Sequence, residues 1–237
     1  MNTTDPAPKR RTPTQRKERV KKTRLPEETP DTPWRLFVAV PLPNTVREQV
    51  SSIVDHLRAT DLPARWTDPE NAHLTLHFIG EAPPEMAELL RMTLNAPISG
   101  HEPFVLRTAE PGTFPSIRRP RVLWLGLWGP AHRLGSLYND IGDFLDDFGF
   151  DIEDGDFHPH ITLGRLRDTE GMKVSTFPDA VRDAFEMLRM EKLAGADAAE
   201  DFLIEQVQLI RSHLEQDGPR YEVLATYQLT GTSESQV

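Results

Sequence analysis

The stretch HPHITLGR, residues 158–165, decides how this chain is interpreted, because a similar stretch, HLTLHFIG, occupies residues 73–80. Each is a short apolar run of the kind that forms a buried strand, yet each carries a histidine two residues before a threonine. Side chains alternate between the two faces of a strand, so the histidine and the threonine of each stretch share one face. A strand that only filled a core would not need an imidazole beside a hydroxyl.

The similarity extends into a longer internal repeat, in which the second copy follows the first by 87 positions. In each copy an apolar strand leads to an amphipathic helix and then to the strand with the histidine. The pairs in register are Phe37 and Trp124, Val38 and Leu125, Pro43 and Pro130, Val50 and Leu137, Val54 and Ile141, Leu57 and Phe144, His73 and His160, Thr75 and Thr162, and Leu76 and Leu163. Two copies are too few for a solenoid and predict two lobes related by an approximate two-fold axis.

The patterns around the repeat complete a set of strands and helices. Apolar and β-branched runs predict strands at 35–40, 73–80, 104–110, 121–127, 158–165, 202–214 and 221–229. Helical spacing of apolar residues predicts helices at 44–57, 83–95, 131–149 and 177–189. We therefore expect an α+β fold with two pseudo-symmetric lobes of mostly antiparallel sheet and flanking helices around a central cleft.

Charge and composition divide the chain into a basic tail and an acidic body. Residues 1–33 contain nine Lys/Arg and five Asp/Glu, a balance of +4, so the net charge of −10 leaves the rest near −14. The tail has almost no apolar residues and is predicted to be disordered, as is the C-terminus, 232–237. The predicted bilobal domain is 34–231. An acidic body argues against nonspecific coating of nucleic acid, which needs many phosphate contacts.

Three absences in the sequence bear on location and chemistry. The chain has no cysteine, which excludes disulfides and thiolate catalysis and fits a cytoplasmic setting. No apolar run reaches the roughly 18–20 residues of a membrane span, and the polar N-terminus does not resemble a secretory signal. We expect a cytoplasmic monomer without contact to a membrane.

The paired histidines and threonines favour phosphodiester chemistry. A two-fold axis between the lobes brings His73, Thr75, His160 and Thr162 to one cleft. Two imidazoles with ordinary pKa values near 6.5 supply a base and an acid at neutral pH. Two hydroxyls from opposite sides hold the oxygens of a tetrahedral anion, as in-line attack on phosphorus requires. Either histidine is a candidate for the base.

These segments resemble the paired HxTx motifs of the 2H phosphoesterase superfamily, and especially its LigT-like branch, the bacterial RNA 2′,3′-cyclic phosphodiesterases also called 2′–5′ RNA ligase-like proteins. The resemblance covers roughly residues 34–230, including RLFVAVPLP, GTFPSIRRPRVLWLGL and RSHLEQDGPRYEVLATYQL. It implies hydrolysis of cyclic phosphate ends to 2′-phosphomonoesters without a metal or other cofactor, and ligation of 2′–5′ RNA ends in reverse. It also implies that His160 accepts a proton, that His73 donates one, and that Thr75 and Thr162 bind phosphate oxygens.

Other residues are candidates for contact with the substrate, which we expect to be an RNA end or a cyclic nucleotide. The resemblance suggests phosphate binding by Arg165, although strict alternation faces it away from His160 unless a bulge occurs at Gly164. Phe114 is a candidate to stack on a base, and Arg119, with its basic neighbours at 118 and 121, to meet the RNA backbone.

Four further residues have less specific assignments. His77 and His158 alternate in phase with the catalytic candidates, so each is either in the cleft or in a supporting position. Trp124 and Trp128 are predicted to lie in the core.

Two other functions fit parts of the sequence. His158 and His160, with His73 or His77 and Asp156, form a candidate His/carboxylate site of a metal-dependent β-barrel enzyme. That hypothesis explains neither the two threonines nor the repeat. A noncatalytic module that binds RNA ends would use the threonines and Arg165 but would not need two imidazoles.

Overall fold

The computed structural model describes residues 29, 31–60, 62–152, 156–167, 200–215 and 218–232, and five isolated positions between 179 and 190. The predicted basic tail, the C-terminus and the helix at 177–189 therefore lie mostly outside the described residues. Their disorder and their boundaries stay predictions.

Nine strands and four α-helices have both ends within the described residues, and the five described positions between 179 and 190 are also helical. The strands are β1 (Trp34–Pro41), β2 (Ala64–Trp66), β3 (His73–Ala82), β4 (Phe104–Ser116), β5 (Arg119–Trp128), β6 (His160–Leu166), β7 (Asp201–Ile204), β8 (Gln206–Leu214) and β9 (Pro219–Gln228). The helices are α1 (Asn44–Arg58), α2 (Pro84–Thr93), α3 (Asn95–Ile98) and α4 (Ala131–Asp147), with one 3₁₀ turn at Pro69–Asn71. The predicted α+β class is confirmed.

All nine strands belong to one sheet, in which every described pairing is antiparallel. The strand order is β7-β4-β5-β6-β3-β1-β8-β9, and β2 pairs with β6 outside this path. The two repeats occupy equivalent positions in this order. The strands with the histidines, β3 and β6, are the central neighbours, and the first strand of each repeat, β1 or β5, lies next to its own histidine strand. We call β3-β1-β8-β9 the His73 half and β6-β5-β4-β7 the His160 half. The two predicted lobes are thus halves of a continuous sheet, joined where β3 meets β6.

One predicted strand is wrong. The run at 202–214 forms two strands, β7 and β8, separated by Glu205. The first pairs with β4 at one end of the strand order, while the second pairs with β1 in the other half. Because a single residue connects strands that stand so far apart in that order, the sheet must curl until its ends approach one another.

The core lies on one face of the sheet, beneath the two long helices. Of the helix positions paired by the repeat, Val50 with Leu137 and Val54 with Ile141 are fully buried. On the same face, Leu74 of β3 and Ile161 of β6 are also inaccessible. A small separate cluster of Phe37, Ala39 and Ile210 lies apart from this core. This smaller cluster includes Phe37, whose ring lies 4.8 Å from that of His73, so it is on the opposite face of the sheet.

Both halves contain a β-bulge at the same place in the repeat. The β1–β3 register passes from Ala39 opposite Thr75 to Val38 opposite His77, which leaves Leu76 as the extra residue. In the β5–β6 ladder the same shift leaves Leu163 as the extra residue. A bulge places two successive residues on one side of the strand, so it reverses the facing of the residues that directly follow it. In β3 a second irregularity, at Ile79, comes after this one. This reversal decides which side chains reach the open face.

No α-helix among the described residues has the length and apolarity to span a bilayer.

Candidate active site

The histidines and threonines of the two repeats converge at the joint between the halves. Strands β3 and β6 pair antiparallel through Leu74 and Ile161. Continuing that register by one residue on each side places His73 opposite Thr162, and Thr75 opposite His160. All four side chains lie on the face away from the core and are half-buried. Diagonal neighbours across such a pair lie about 7–8 Å apart, which leaves room for a phosphate between the imidazoles.

Each imidazole is anchored to backbone in the same manner. Nδ1 of His73 lies 2.8 Å from the carbonyl oxygen of Asn71, and Nδ1 of His160 lies 2.7 Å from that of His158. A carbonyl oxygen only accepts hydrogen bonds, so Nδ1 must carry the proton and donate it. The neutral ring then keeps its lone pair on Nε2, and the protonated ring carries its exchangeable proton there. Nε2 is therefore the nitrogen of each ring that remains for proton transfer.

The surroundings lower the pKa of both histidines. For His73, burial is the main cause of the lowered pKa. The hydrogen bond to the backbone of Asn71 opposes it, and the nearby His160 adds a smaller lowering. Burial is also the main cause of the lowered pKa of His160. The hydrogen bond to the backbone of His158 opposes it, and the charges of Arg165 and of the His158 side chain lower the pKa further. Two imidazoles in electrostatic contact do not readily carry two protons. One neutral and one protonated ring is the pairing that acid–base catalysis needs.

Arg165 lies on the open face because of the bulge at Leu163. With Leu163 and Gly164 both buried, the following side chain returns to the side of His160 and is exposed. Its charge contributes to the lowered pKa of His160 and acts on Tyr221 as well. Strict alternation predicts the wrong face; the bulge considered in the sequence is present, with Leu163 as its extra residue.

The equivalent bulge in the other half turns His77 inward. His77 is buried, stacks on Tyr138 at 4.1 Å and has Nε2 2.8 Å from the carbonyl oxygen of that residue. Burial also lowers its pKa. It does not line the cleft, and it cannot join His158 and His160 in the metal site considered above. The described residues contain no group of three or more side chains arranged to hold a metal ion.

Aromatic rings pack around each candidate histidine. Phe37 and Tyr221 lie 4.8 and 5.4 Å from the ring of His73. On the other side, Phe114 lies 4.9 Å from the ring of His160, and its stacking on a base stays a prediction. These rings exclude water from the imidazole edges, which is the physical origin of the burial that lowers both pKa values.

The structure places several residues around the candidate site differently from the sequence predictions. Trp128 is 72% exposed, so its predicted place in the core is wrong, whereas Trp124 is half-buried beside Phe114. Arg119 is exposed at the turn between β4 and β5, and no described contact links it to a candidate histidine. His158 is exposed, and its carbonyl oxygen anchors His160.

Sequence reasoning misses three residues beside the candidate site. Periodicity assigns Phe37 only to a strand, and Tyr221 reaches the site from β9, far along the chain. Arg65 lies on β2, a strand of three residues that is too short for periodicity to reveal. A signal for Phe37 does exist in the sequence, because the repeat pairs it with Trp124 beside the second motif.

Comparison with protein families finds a match, described as LigT like Phosphoesterase, over residues 40–124 and 129–221. RNA 2′,3′-cyclic phosphodiesterase of Thermotoga maritima is 30% identical over 197 residues, which cover 83% of this chain and 96% of that protein. The Methanothermobacter thermautotrophicus protein of the same name is 30% identical over 199 residues, 82% of this chain and 98% of that one.

Solved structures of similar proteins share the fold. Escherichia coli LigT complexed with 3′-AMP has a TM-score of 0.59 and 28% identity, and the match covers 84% of this chain and 99% of that one. The protein TT0787 of Thermus thermophilus has a TM-score of 0.60 and 26% identity, with 83% and 98% covered.

Proposed function

Because this chain belongs to the LigT-like phosphoesterase family, we propose that it is an RNA 2′,3′-cyclic phosphodiesterase that uses two histidines and no metal. Its relatives in Thermotoga maritima and Methanothermobacter thermautotrophicus carry that name. The observation that carries the mechanism is the placement of His73 and His160 across one strand pair, each with Nδ1 bonded to a carbonyl oxygen. Both Nε2 atoms are then free for proton transfer on the open face.

The reaction needs one proton accepted and one donated. Nε2 of neutral His160 takes a proton from water as the water oxygen attacks phosphorus. The bond between phosphorus and O3′ breaks, and protonated His73 gives its Nε2 proton to the departing oxygen. The products are a 2′-phosphomonoester and a free 3′-hydroxyl, and exchange of protons with solvent restores the starting forms.

Arg165 favours this assignment over the reverse one. Its guanidinium acts directly on His160 and contributes to keeping that ring neutral at the start of the reaction. A general base must be unprotonated to work, whereas the acid must hold a proton. The phosphate of a bound substrate lies between the two rings, and its negative charge favours protonation of one of them. Because Arg165 disfavours a proton on His160, that proton is held by His73. The charge asymmetry of the site therefore supports His160 as the base.

The two threonines complete the phosphate site. Thr75 and Thr162 stand diagonally across the same strand pair, so their hydroxyls approach the phosphate from opposite sides. A hydroxyl donor aimed at a nonbridging oxygen stabilises the charge that develops there during attack. A 5′-hydroxyl in place of water would lead to a 2′–5′ linkage, so the same site also supports ligation.

The test is to incubate the full-length protein with an RNA oligonucleotide ending in a 2′,3′-cyclic phosphate, in excess EDTA, and to identify the product. The proposal predicts turnover to the 2′-phosphomonoester at an unchanged rate. Loss of turnover in EDTA with recovery on addition of zinc would support the metal enzyme instead. Tight binding without turnover would identify a noncatalytic module.

A further inference from the structure

Two arginines face each other across the strand pair at the edge of the candidate site. Strand β2 pairs with the end of β6 in a register that sets Arg65 directly opposite Arg165. Residues directly opposite each other share a face of the sheet, so Arg65 lies on the same open face as Arg165 and the histidines. Both arginines are exposed. Neither has an ion pair or a hydrogen bond with another residue in the part of the chain that the structure describes.

Close packing fixes this arrangement. A side chain at Gly164 would place its Cβ 2.8 Å from the indole ring of Trp66 and 3.2 Å from the carbonyl oxygen of Arg65. Glycine therefore permits β2 to lie against β6. On its other side, Nη2 of Arg65 lies only 2.8 Å from the point that a Cβ on Gly218 would occupy. The guanidinium is confined between β6 and the β8–β9 turn.

The paired charges are costly unless an anion joins them. Like charges directly opposite each other on a sheet destabilise it. Both guanidinium groups also act on Tyr221, where they oppose the rise in pKa that burial of the phenol causes. Tyr221 packs against the ring of His73 at 5.4 Å. The positive charge of the two arginines thus extends along the open face from the edge formed by β2 and β6 toward Tyr221.

An RNA end carries a second anion close to its cyclic phosphate. The ribose that bears the 2′,3′-cyclic phosphate also bears, on its 5′ oxygen, the phosphodiester that connects it to the preceding nucleotide. Guanidinium groups bind phosphate through pairs of parallel hydrogen bonds. A cyclic mononucleoside phosphate lacks this second anion.

We propose that Arg65, together with Arg165, forms a second anion subsite that binds the phosphodiester on the 5′ side of the terminal nucleotide. This inference rests on the proposed function and specifies its substrate as an oligonucleotide end. Arg65 is then a specificity residue. It raises the efficiency of the enzyme on RNA ends and contributes nothing to the hydrolysis of a nucleoside 2′,3′-cyclic phosphate.

The experiment compares two substrates and three variants of the full-length protein. The substrates are a trinucleotide with a cyclic phosphate end and adenosine 2′,3′-cyclic phosphate. Arg65→Gln should lower kcat/KM for the trinucleotide roughly ten- to a hundredfold, the range of one charged hydrogen bond, and leave the mononucleotide unchanged. The kcat/KM of Arg65→Lys for the trinucleotide should lie between the values of the wild type and Arg65→Gln. The control is Arg107→Gln, which removes an exposed arginine of β4 paired with Asp201 and should change neither substrate.

Salt dependence and product binding give independent readouts. The log–log slope of trinucleotide kcat/KM against salt should fall by about 0.7 in Arg65→Gln, as one lost contact to a single strand predicts. Binding of the 2′-phosphorylated trinucleotide should weaken, whereas binding of adenosine 2′-phosphate should not. Equal losses on both substrates, or no loss on either, would overturn the inference. An inactive wild type that kept the binding difference would overturn the proposed function and leave the subsite standing.

Discussion

The two halves of the sheet have the same backbone arrangement but carry different side chains on the open face. In each, a histidine and a threonine precede a bulge, at Leu76 in one half and Leu163 in the other. After the bulge, the His73 half presents Phe78, which is 62% exposed, where the His160 half presents Arg165. A duplicated unit thus supplies two matched pairs of histidine and threonine, and it leaves one half of the site aromatic and the other cationic.

The buried position after each bulge differs as well, and this difference has a larger structural effect. His77 fills its position and packs against Gly142 of α4, with ring atoms 3.0 Å from where a Cβ there would lie. Its counterpart, Gly164, leaves space that Trp66 and β2 occupy. The His160 half therefore acquires an extra strand and a second arginine. Asymmetry between the halves comes from two adjacent residues in each repeat.

The largest expected effect tests whether the halves contribute equally to catalysis. His73→Ala and His160→Ala should each lower kcat on a cyclic phosphate end by about 10²–10⁴ while the fold survives, because each removes one proton transfer. A substrate with sulfur in place of O3′ has a leaving group that needs no proton. In steady-state assays this substrate should restore the turnover rate of His73→Ala but not that of His160→Ala. The opposite pattern would reverse the acid and base.

The second prediction compares how much each half contributes to stability where β3 pairs with β6. Leu74→Ala and Ile161→Ala each remove a fully buried side chain from the pair that connects β3 to β6. Each should lower the free energy of unfolding by about 2–5 kcal/mol, measured by urea denaturation. Leu203→Ala, at an exposed position on β7, is the control and should change little. A loss confined to one of the two core variants would argue against an equal contribution of the two halves.

The threonines sharpen the comparison at the phosphate. Thr75→Val and Thr162→Val keep the branched shape and delete one hydroxyl each. If both hydroxyls bind the phosphate as charge develops, each variant should lose on the order of 10² in kcat, with a smaller change in KM. Single-turnover rates measure the loss directly. A change only in KM would assign the hydroxyls to ground-state binding.

The smallest expected effect concerns pH. Arg165 contributes to the lowered pKa of His160, after burial, so Arg165→Gln should raise that pKa. A base works only when unprotonated, so the acidic limb of kcat/KM should move to higher pH. Arg165 is not among the groups that lower the pKa of His73, and the alkaline limb should stay in place. Movement of the alkaline limb instead would make His160 the acid.

The sequence predicts the parts of this molecule that repeat. The paired strands, the two long helices and the shared face of His73, Thr75, His160 and Thr162 all follow from apolar spacing and the offset between the copies. The bulges follow only in part, because a bulge is a property of two strands in register. Gly164 marks a possible bulge in β6, which is why the facing of Arg165 could be considered. The residues of β3 around Leu76 carry no such signal, so the burial of His77 is beyond local reasoning.

Long-range contacts are equally inaccessible to such reasoning. Tyr221 reaches His73 through the curl of the sheet, and Arg65 reaches Arg165 through a strand that only Gly164 makes room for. Neither contact has a counterpart in sequence spacing. The division of 202–214 at Glu205 also depends on which partners the two segments meet.

That division has a consequence for the order in which the molecule is made. Strand β1 emerges early from the ribosome, but its outer neighbour, β8, comes from the last fifth of the chain. Until then the first repeat exposes a hydrophobic edge with unpaired amides, whereas β5 already has β4 beside it. The nascent protein is thus most prone to aggregate through its earliest half, and a circular permutant beginning at β8 would remove that delay.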